Sequence, residues 1–452
     1  MTSWAGRTAA DIAAAVREKR ATPREVVADH LARIERLDGR VGAFRAVRAE
    51  AALGEADEVG ARSDLAELPL AGVPVAVKDN LAVCGESKRV GSAATPDTPS
   101  AADHVTVARL RAAGAVVVGL TNVPELCVFG TTEGVHGTSR NPWDPARSAG
   151  GSSGGGAAAV AAGLVPLALG NDGMGSLRIP AANCGLVTIK PGHGVVPAGI
   201  GEGDWFGMSE NGPLATTVED ARLMLAVLAG DDLTDGGPPR RADGGTLRIA
   251  ASARSPLAGV PVSRPYANAV REAAGLLMKA GHQVRRADPP YPASLGLTAL
   301  AHWTAGTAVD ARGLDRRRLA RRTRVHAALG RAFVRTAAAG EGREALRARL
   351  EPFFEAYDVL LTPALARRSP AAAPWHERGW LRNIVADTAY SPFTPPWNLT
   401  GWPAMAVPVG TLPSGAPCAV QLVGRPGAEA ALLELAERIE ALRPWRRTAP
   451  LE

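Results

Sequence analysis

One stretch of the chain, residues 149–180, limits most strongly what this protein can fold into. It holds two serine-containing glycine clusters, and between them lies the segment AAAVAAGLVPLAL, which is apolar almost throughout. Flexible Gly/Ser linkers do not enclose a segment that is fit only for a packed interior. We therefore predict a loop, a buried helix, a short strand and a second loop, in that order.

The first cluster, AGGSSGGG, places Ser152 and Ser153 among glycines. Glycine permits backbone angles and close approaches that a Cβ atom would forbid, so backbone N–H groups can converge around these hydroxyls. The second cluster repeats this pattern around Ser176. Taken alone, the serines of the first cluster are also good caps for the Ala-rich helix, and Ser176 is an ordinary turn serine.

A base for these serines has to come from a distant part of the chain, because no histidine lies near them in the sequence. Lys78 ends the run GVPVAVK, which is typical of a buried strand. Burial would disfavour the ammonium form and lower the pKa of this lysine, so that its neutral amine could accept a proton. Without further context, most lysines at strand ends point to solvent.

Several segments together resemble the amidase signature family of amide hydrolases. They are GVPVAVKDN, GGSSGGGAAAVAAG, MGSLRIPAANCG and IKPGHGVVP, followed near the C-terminus by NLTGWP and QLVGRP. The resemblance is dense over residues 68–228 and 392–440 and weak over 245–385, where this family varies its substrate pocket. In that family a lysine, a serine preceded by a cis peptide bond and a nucleophilic serine form the catalytic triad.

Matched by motif, the resemblance implies that Lys78 is the base, Ser152 the bridging serine and Ser176 the nucleophile. The separation of 24 residues between the two serines is the family's spacing. The oxyanion hole is then expected in the backbone of one turn. Its members would be Gly173, Met174, Gly175 and Ser176.

Three further residues are implied as supports of the site. Asp172 and Arg178 resemble the pair that braces the nucleophile in this family, and a structural ion pair is our interpretation of them. Ser153 would support the loop or cap the helix that follows. The family turn usually reads TDTGGS, whereas this chain has NDGMGS. If Met174 needed a positive φ it would be strained unless Gly173 took over that geometry, and its side chain could narrow the acyl pocket.

The implied function is hydrolysis of a carboxylic amide to an acid and ammonia or an amine, through an acyl-enzyme at Ser176. A small-molecule amide is the expected substrate, no cofactor is expected, and a homodimer is possible at the level of the family. Two enzymatic alternatives remain open, namely the glutaminase subunit of a tRNA-dependent amidotransferase and an amide-forming acyltransferase of a specialised pathway. A non-catalytic binding module is the alternative from another class.

Other chemistries find less support. GGSSG also matches the G-x-S-x-G pattern of serine hydrolases, but that pattern needs a preceding strand, and NPWDPARSAG does not predict one. His193 and His376 could serve a Ser-His-Asp triad only if the fold brought them to a serine. No His/Cys/Asp cluster has ligand spacing, so we predict no metal site.

Composition excludes several partners and compartments. The net charge of +6 on 452 residues is small, and the surplus is mostly the arginine run at 312–335, which we interpret as a solvated helix face rather than a nucleic-acid site. Four separated cysteines without a C-x-x-C pair favour free thiols in a reducing compartment. Without a signal peptide or a spanning apolar run, we expect a cytoplasmic protein with no membrane partner.

Alternating strand and helix patterns predict an α/β fold, with one large domain whose central mixed β-sheet is covered by helices on both faces. We divide the chain into N-terminal helices at 1–65, the signature core at 66–235, a variable substrate-pocket region at 245–385, and a C-terminal return to the sheet at 386–452. The polar stretch 231–245 predicts a surface loop. Some large side chains could line an apolar pocket. These are Met174, Trp205, Phe206, Trp303 and Trp397.

Overall fold

A computed structural model of the chain describes residues 3–230 and 245–451. The predicted surface loop at 231–245 therefore lies outside the described residues, except for Gly245. Within the described ranges, none of the helices combines the length and the hydropathy that a bilayer crossing requires.

The described strands form one large sheet and two small hairpins. In chain order they are β1 Phe44–Val47, β2 Pro74–Lys78, β3 Val116–Thr121, β4 Glu133–Gly134, β5 Gly137–Thr138, β6 Arg140–Asn141, β7 Asp144–Ser148, β8 Leu167–Asp172, β9 Val187–Lys190, β10 Glu210–Ala215, β11 Arg248–Ala251, β12 Gln283–Arg286, β13 Val359–Pro363, β14 Ala404–Thr411 and β15 Pro417–Gly424.

The large sheet has 11 strands in the order β1-β3-β2-β8-β10-β9-β14-β15-β13-β11-β12. Strands β3, β2 and β8 run parallel, as do β13, β11 and β12, and the pairs between and outside these groups are antiparallel. The prediction of a single domain with a mixed central sheet is therefore confirmed. The finer division of the chain into four segments stays a prediction.

Helices flank the sheet. They are α1 Ala9–Arg17, α2 Pro23–Val41, α3 Ala49–Gly60, α4 Val105–Ala112, α5 Gly154–Ala161, α6 Arg178–Cys184, α7 Asp204–Gly207, α8 Val218–Ala229, α9 Arg264–Lys279, α10 Leu295–Asp310, α11 Arg321–Gly330, α12 Val334–Ala339, α13 Glu341–Ala356, α14 Trp380–Tyr390, α15 Pro395–Thr400 and α16 Glu429–Leu442.

Side-chain caps begin several helices. Thr22 accepts from the backbone N–H of Glu25, whose carboxylate accepts from the Thr22 N–H in return, so both partners of a capping box are present. Thr8 caps α1 and Thr217 caps α8 in the same way, each through its own hydroxyl oxygen. These bonds satisfy N–H groups that have no partner inside their own helix.

Two local predictions need correction. Residues 44–47 form strand β1 within a region predicted to be helical throughout, because the chain there pairs with β3 at the edge of the sheet. The arginine run is not solvated throughout either. Arg322 is fully buried, its guanidinium contacts Glu133 at 2.7 Å, and it lies over the ring of Phe129.

Candidate active site

The sheet brings two strand ends together at one edge. β2 and β8 are parallel neighbours, so the carboxyl ends of both strands point the same way. Lys78 is the last residue of β2, and Asn171 and Asp172 end β8. Ligands and reacting groups collect at this end of parallel strands, because the loops that follow the strands begin there.

Lys78 is buried and makes three polar contacts. Its Nζ lies 2.8 Å from Ser152 Oγ and also donates to both oxygens of Asn171, at 2.6 Å to Oδ1 and 3.2 Å to the carbonyl oxygen. Asn80 orients the Asn171 side chain through two amide hydrogen bonds of 2.8 and 3.2 Å. Neither asparagine is a candidate on sequence grounds, although Asn171 stands where the resembling family usually has threonine.

The electrostatics of Lys78 follow from its burial. Removal from water lowers the pKa of Lys78 to about 8, while the thiol of Cys127 and the carboxylate of Asp172 act in the opposite direction. Burial raises the pKa of Cys127 to about 11, so this thiol stays neutral beside the lysine. A lysine with this pKa exchanges a proton near neutral pH.

The first glycine cluster forms the loop that leads into α5. The peptide bond between Gly151 and Ser152 is cis. Ser153 makes no capping hydrogen bond to the helix. Instead its hydroxyl donates to the Asn171 carbonyl at 3.2 Å, and its N–H donates to the carbonyl of Ser176 at 3.2 Å. Of the two roles expected for Ser153, these contacts favour support of the loop, because they join both serine loops to the end of β8.

The second cluster is organised by the carboxylate of Asp172. This group is fully buried and accepts from the backbone N–H groups of Gly175, Leu177 and Arg178. The guanidinium of Arg178 adds two bonds of 2.9 and 3.0 Å. Burial opposes ionisation of Asp172, but the charge and hydrogen bonds of Arg178 outweigh it and hold the pKa of this carboxyl well below its usual range.

The same arginine reaches the C-terminal part of the chain. Arg178 Nη1 donates to the carbonyl of Thr394 at 3.0 Å and to Gln421 Oε1 at 2.8 Å, and Nη2 donates to Asn398 Oδ1 at 2.6 Å. Each N–H of the guanidinium thus has an acceptor, which a buried charge requires. Asn398 and Gln421 fall within the C-terminal motifs NLTGWP and QLVGRP, but their sequence gives no sign of this contact.

In the turn before Ser176, the residue with a positive φ is not the one that the sequence analysis considered. Met174 has no positive φ, and Gly175 takes the left-handed position with φ 120°. Methionine therefore stands there without strain, and Gly173 does not have to supply that geometry. The N–H of Gly175 is occupied by Asp172 at 2.5 Å, whereas the N–H groups of Gly173, Met174 and Ser176 donate to no other described residue.

Two cavities meet at Ser176, which is half-buried and lines both. The polar cavity, of about 280 Å³, is also lined by Ser152, Asn80 and Asn171, and exposed residues such as Lys88 and Glu202 stand at its rim. The apolar cavity, of about 140 Å³, is lined mainly by Phe129, Met174, Ile179, Leu257, Trp303 and Ile384. Within the described ranges, no hydrogen bond joins the hydroxyls of Ser152 and Ser176.

The five side chains predicted to line a pocket divide into two groups. Trp205 lines the polar cavity, and Met174 and Trp303 line the apolar cavity. Phe206 and Trp397 line neither, so that part of the prediction is wrong. Trp397 is fully buried, and its ring contacts the rings of Phe354 and Tyr291 rather than either cavity.

The histidines considered for a Ser-His-Asp triad line neither of the two cavities at Ser176. His193 pairs with Glu210 through Nδ1 at 2.8 Å, and neither His193 nor His376 lines either cavity. In the part of the chain that the structure describes, no group of three or more His, Cys, Asp or Glu side chains could hold a metal ion.

This chain is similar in sequence and in fold to known proteins over nearly its whole length. Residues 25–433 match the family model described as Amidase. The chain is 41% identical over 430 residues to "Putative amidase AmiB2" of Mycobacterium tuberculosis, with 93% of each chain covered. It is 33% identical over 470 residues to an acylamidase of Rhodococcus erythropolis, covering 98% of this chain and 97% of the relative.

A solved structure agrees with these relatives. The structure of a bacterial aryl acylamidase, described as one of the amidase signature enzymes, superposes with a TM-score of 0.84 at 25% identity and covers 98% of each chain. Sequence and fold thus lead to the same family over the same residues. This chain belongs to the amidase signature family and is a hydrolase that acts on amide bonds.

Proposed function

We propose that the chain hydrolyses a carboxylic amide through an acyl-enzyme at Ser176, with Lys78 as the base and Ser152 as the relay between them. The observation that carries this proposal is the 2.8 Å contact between Lys78 Nζ and Ser152 Oγ, at a cavity that Ser152 and Ser176 both line. A nucleophilic hydroxyl needs a nearby base that can take its proton. A buried lysine linked to a bridging hydroxyl supplies one.

The surroundings of Lys78 favour its neutral form. A neutral amine has two N–H donors and one lone pair, and Asn171 offers two acceptor oxygens to Nζ. The lone pair is then free to accept the proton of Ser152. Because the pKa of Lys78 is lowered to about 8, roughly a tenth of the enzyme holds this form at pH 7 and about half holds it at pH 8.

The reaction then follows in two acyl transfers. Ser176 Oγ attacks the carbonyl carbon while its proton passes to Ser152, whose own proton passes to Lys78. The C–N bond breaks as the leaving nitrogen takes a proton back along the same route, and the acyl group stays on Ser176. Water repeats the sequence, giving the free acid and restoring Ser176.

Backbone amides of the nucleophile turn would hold the oxyanion. Of the four residues expected in the oxyanion hole, Gly175 already donates its N–H to Asp172. We therefore narrow the proposal to the N–H groups of Gly173, Met174 and Ser176. Donors fixed in advance stabilise developing charge without having to reorganise during the reaction. Asp172 and Arg178 would act by fixing this turn.

The two cavities orient the amide. The leaving nitrogen has to receive a proton from Ser152, and Ser152 lines the polar cavity. The amine therefore leaves through the polar cavity, which opens to solvent and admits water, and the acyl group occupies the apolar cavity. An apolar cavity of about 150 Å³ holds one benzene ring. The proposed substrates are thus amides whose acyl group is a compact aryl or alkyl group.

This arrangement favours an amidase over a glutaminase subunit. Glutamine presents an α-carboxylate, which needs a cationic partner, and no lysine or arginine lines the apolar cavity among the described residues. Inclusion of free glutamine among the tested substrates addresses this alternative. Formation of hydroxamate in the presence of hydroxylamine measures how readily an amine replaces water at the acyl-enzyme.

The test is turnover of a panel of aliphatic and aryl amides by the wild type and by variants. We expect Ser176→Ala to abolish turnover and Lys78→Ala to lose nearly all of it, whereas Lys279→Ala, at an exposed position on α9, retains it. A serine-directed phosphonate should label Ser176, as mass spectrometry of the digest would report. Wild-type-like rates in Ser176→Ala or Lys78→Ala would refute the mechanism.

A further inference from the structure

Among the described residues, one charged side chain lines the apolar cavity. Asp387, on α14, lines it together with Ser176 and is 7% exposed. The other side chains around it are mostly aliphatic or aromatic, so a carboxylate there has little water to solvate it. An ionised group in such a place is costly unless a partner compensates the charge.

The protein partners of this carboxylate satisfy only part of it. Asp387 Oδ2 accepts from the backbone N–H of Gly130 at 3.1 Å. No described residue donates a hydrogen bond to Oδ1, and the hydroxyl of Tyr390, close by, donates to the carbonyl of Gly130 instead. One oxygen of a buried acid that lines the cavity therefore has no donor among the described residues.

Arg322, the cation whose charge acts on Asp387, is already paired with another carboxylate. Arg322 forms a buried ion pair with Glu133 at 2.7 Å and donates to Asn383 at 2.6 Å. Burial raises the pKa of Asp387 to about 7, and the hydrogen bond from Gly130 and the charge of Arg322 only partly oppose it, while Glu133 acts in the same direction as burial. Within the described ranges, Asp387 has no ion-pair partner of its own.

We propose that Asp387 binds a primary ammonium group carried by the acyl part of the substrate. This inference rests on the proposed function, because the acyl group has to occupy the apolar cavity for its far end to meet Asp387. The ammonium would donate to Oδ1 while Oδ2 keeps its bond to Gly130. The preferred substrates are then amino-acyl amides with a short apolar spacer between the ammonium and the carbonyl.

Matched substrate pairs test this assignment. Each pair consists of the para-nitroanilide of an ω-amino acid and the para-nitroanilide of the alkanoic acid with a methyl group in place of the ammonium, over a series of spacer lengths. For the wild type we expect kcat/KM for the amino member to exceed that for the alkyl member by about 10- to 100-fold at the best length, as for a hydrogen bond to a charged group.

Asp387→Asn keeps an acceptor for the N–H of Gly130 and removes the charge. We expect it to bring the two members of each pair to within about twofold of each other while turnover of the alkyl member persists, which also shows that the variant folds. The matched control is Asp310→Asn in the polar cavity. The Asp310 carboxylate already accepts from Trp205 Nε1 and from the N–H of Glu202, so this change should leave the amino-to-alkyl ratio unaltered.

The outcomes separate this inference from the proposed function. If alkanoyl anilides turn over but the wild type shows no preference for the amino members, or if Asp387→Asn retains the preference, the role of Asp387 is refuted and the amidase mechanism stands. If neither member turns over above the background of Ser176→Ala, the proposed function fails and the inference fails with it.

Discussion

Asn171 supplies most of the polar contacts of the proposed base. Its two oxygens account for two of the three polar contacts of Lys78 Nζ, and Asn80 fixes its side chain so that Oδ1 faces the amine. A neutral acceptor orients the amine without stabilising the ammonium as strongly as an anion would. This explains how a carboxamide at the end of β8 is compatible with a base that must lose its proton.

Replacement of Asn171 by aspartate tests this account through pH. Lys78 can act as a base only when its amine is neutral. We therefore expect kcat/KM to fall as the pH drops through the Lys78 pKa of about 8. In Asn171→Asp the added anion stabilises the ammonium, and we expect this limb to move to higher pH by about one unit or more. An unchanged limb in the pH profile would contradict Lys78 as the titrating base.

At the scale of elements, helix α5 sets the position of the first serine loop. Its eight residues are all buried, and the small side chains of AAAVA let the helix pack against the sheet. A Cβ atom at Gly155 would lie 2.5 Å from the carbonyl oxygen of Ala43 and 2.6 Å from backbone atoms of Asn122. The helix therefore lies directly against the backbone of Ala43 and Asn122, and this contact fixes the position of Ser152 just before the helix.

Two glycine substitutions in helices should have opposite effects. Gly155→Ala overpacks the contact with Ala43 and Asn122, and we expect it to lower the free energy of unfolding by about 1–3 kcal/mol and to reduce kcat by displacing Ser152. Gly39→Ala on α2 meets no atom within 4 Å and should raise stability by about 0.4–1 kcal/mol. Urea denaturation of both variants measures this, and equal effects would contradict it.

At the scale of the whole molecule, Arg178 joins the nucleophile turn to the C-terminal part of the chain. It binds Asp172 in the turn, Thr394 before α15, and Gln421 on β15, more than 200 residues away in sequence. Strands from the weakly resembling region, β11 to β13, share the same sheet as the signature strands. The site therefore depends on the completed sheet rather than on one contiguous segment.

Loss of Arg178 should lower the free energy of unfolding far more than loss of a surface arginine. Arg178→Met leaves Asp172 buried and unpaired, and we expect it to lower the free energy of unfolding by about 3–5 kcal/mol. Arg222→Ala breaks an exposed pair with Glu437, 2.7 Å long, and should cost less than about 1 kcal/mol. Denaturation curves of both variants decide this, and an Arg178→Met loss as small as that of Arg222→Ala would refute the buried-pair account.

Local signals in the sequence predicted much of this protein. The buried strand ending at Lys78 and the apolar helix between the serine clusters are both decided by nearby residues. The burial of Arg322 was not predictable in this way. Its charge is identical to that of its exposed neighbours, and it is compensated by Glu133, which a hairpin nearly 190 residues earlier brings to it.

The sequence by itself determined the family, the mixed α/β sheet and the residue types that amide hydrolysis needs, because these depend on periodicity, glycine placement and motif order. Tertiary structure alone decided which amides of the turn are free, which oxygens contact Lys78, and that a more polar and a more apolar cavity meet at Ser176. Those properties depend on distances between atoms far apart in the chain. These distances are fixed only in the folded protein.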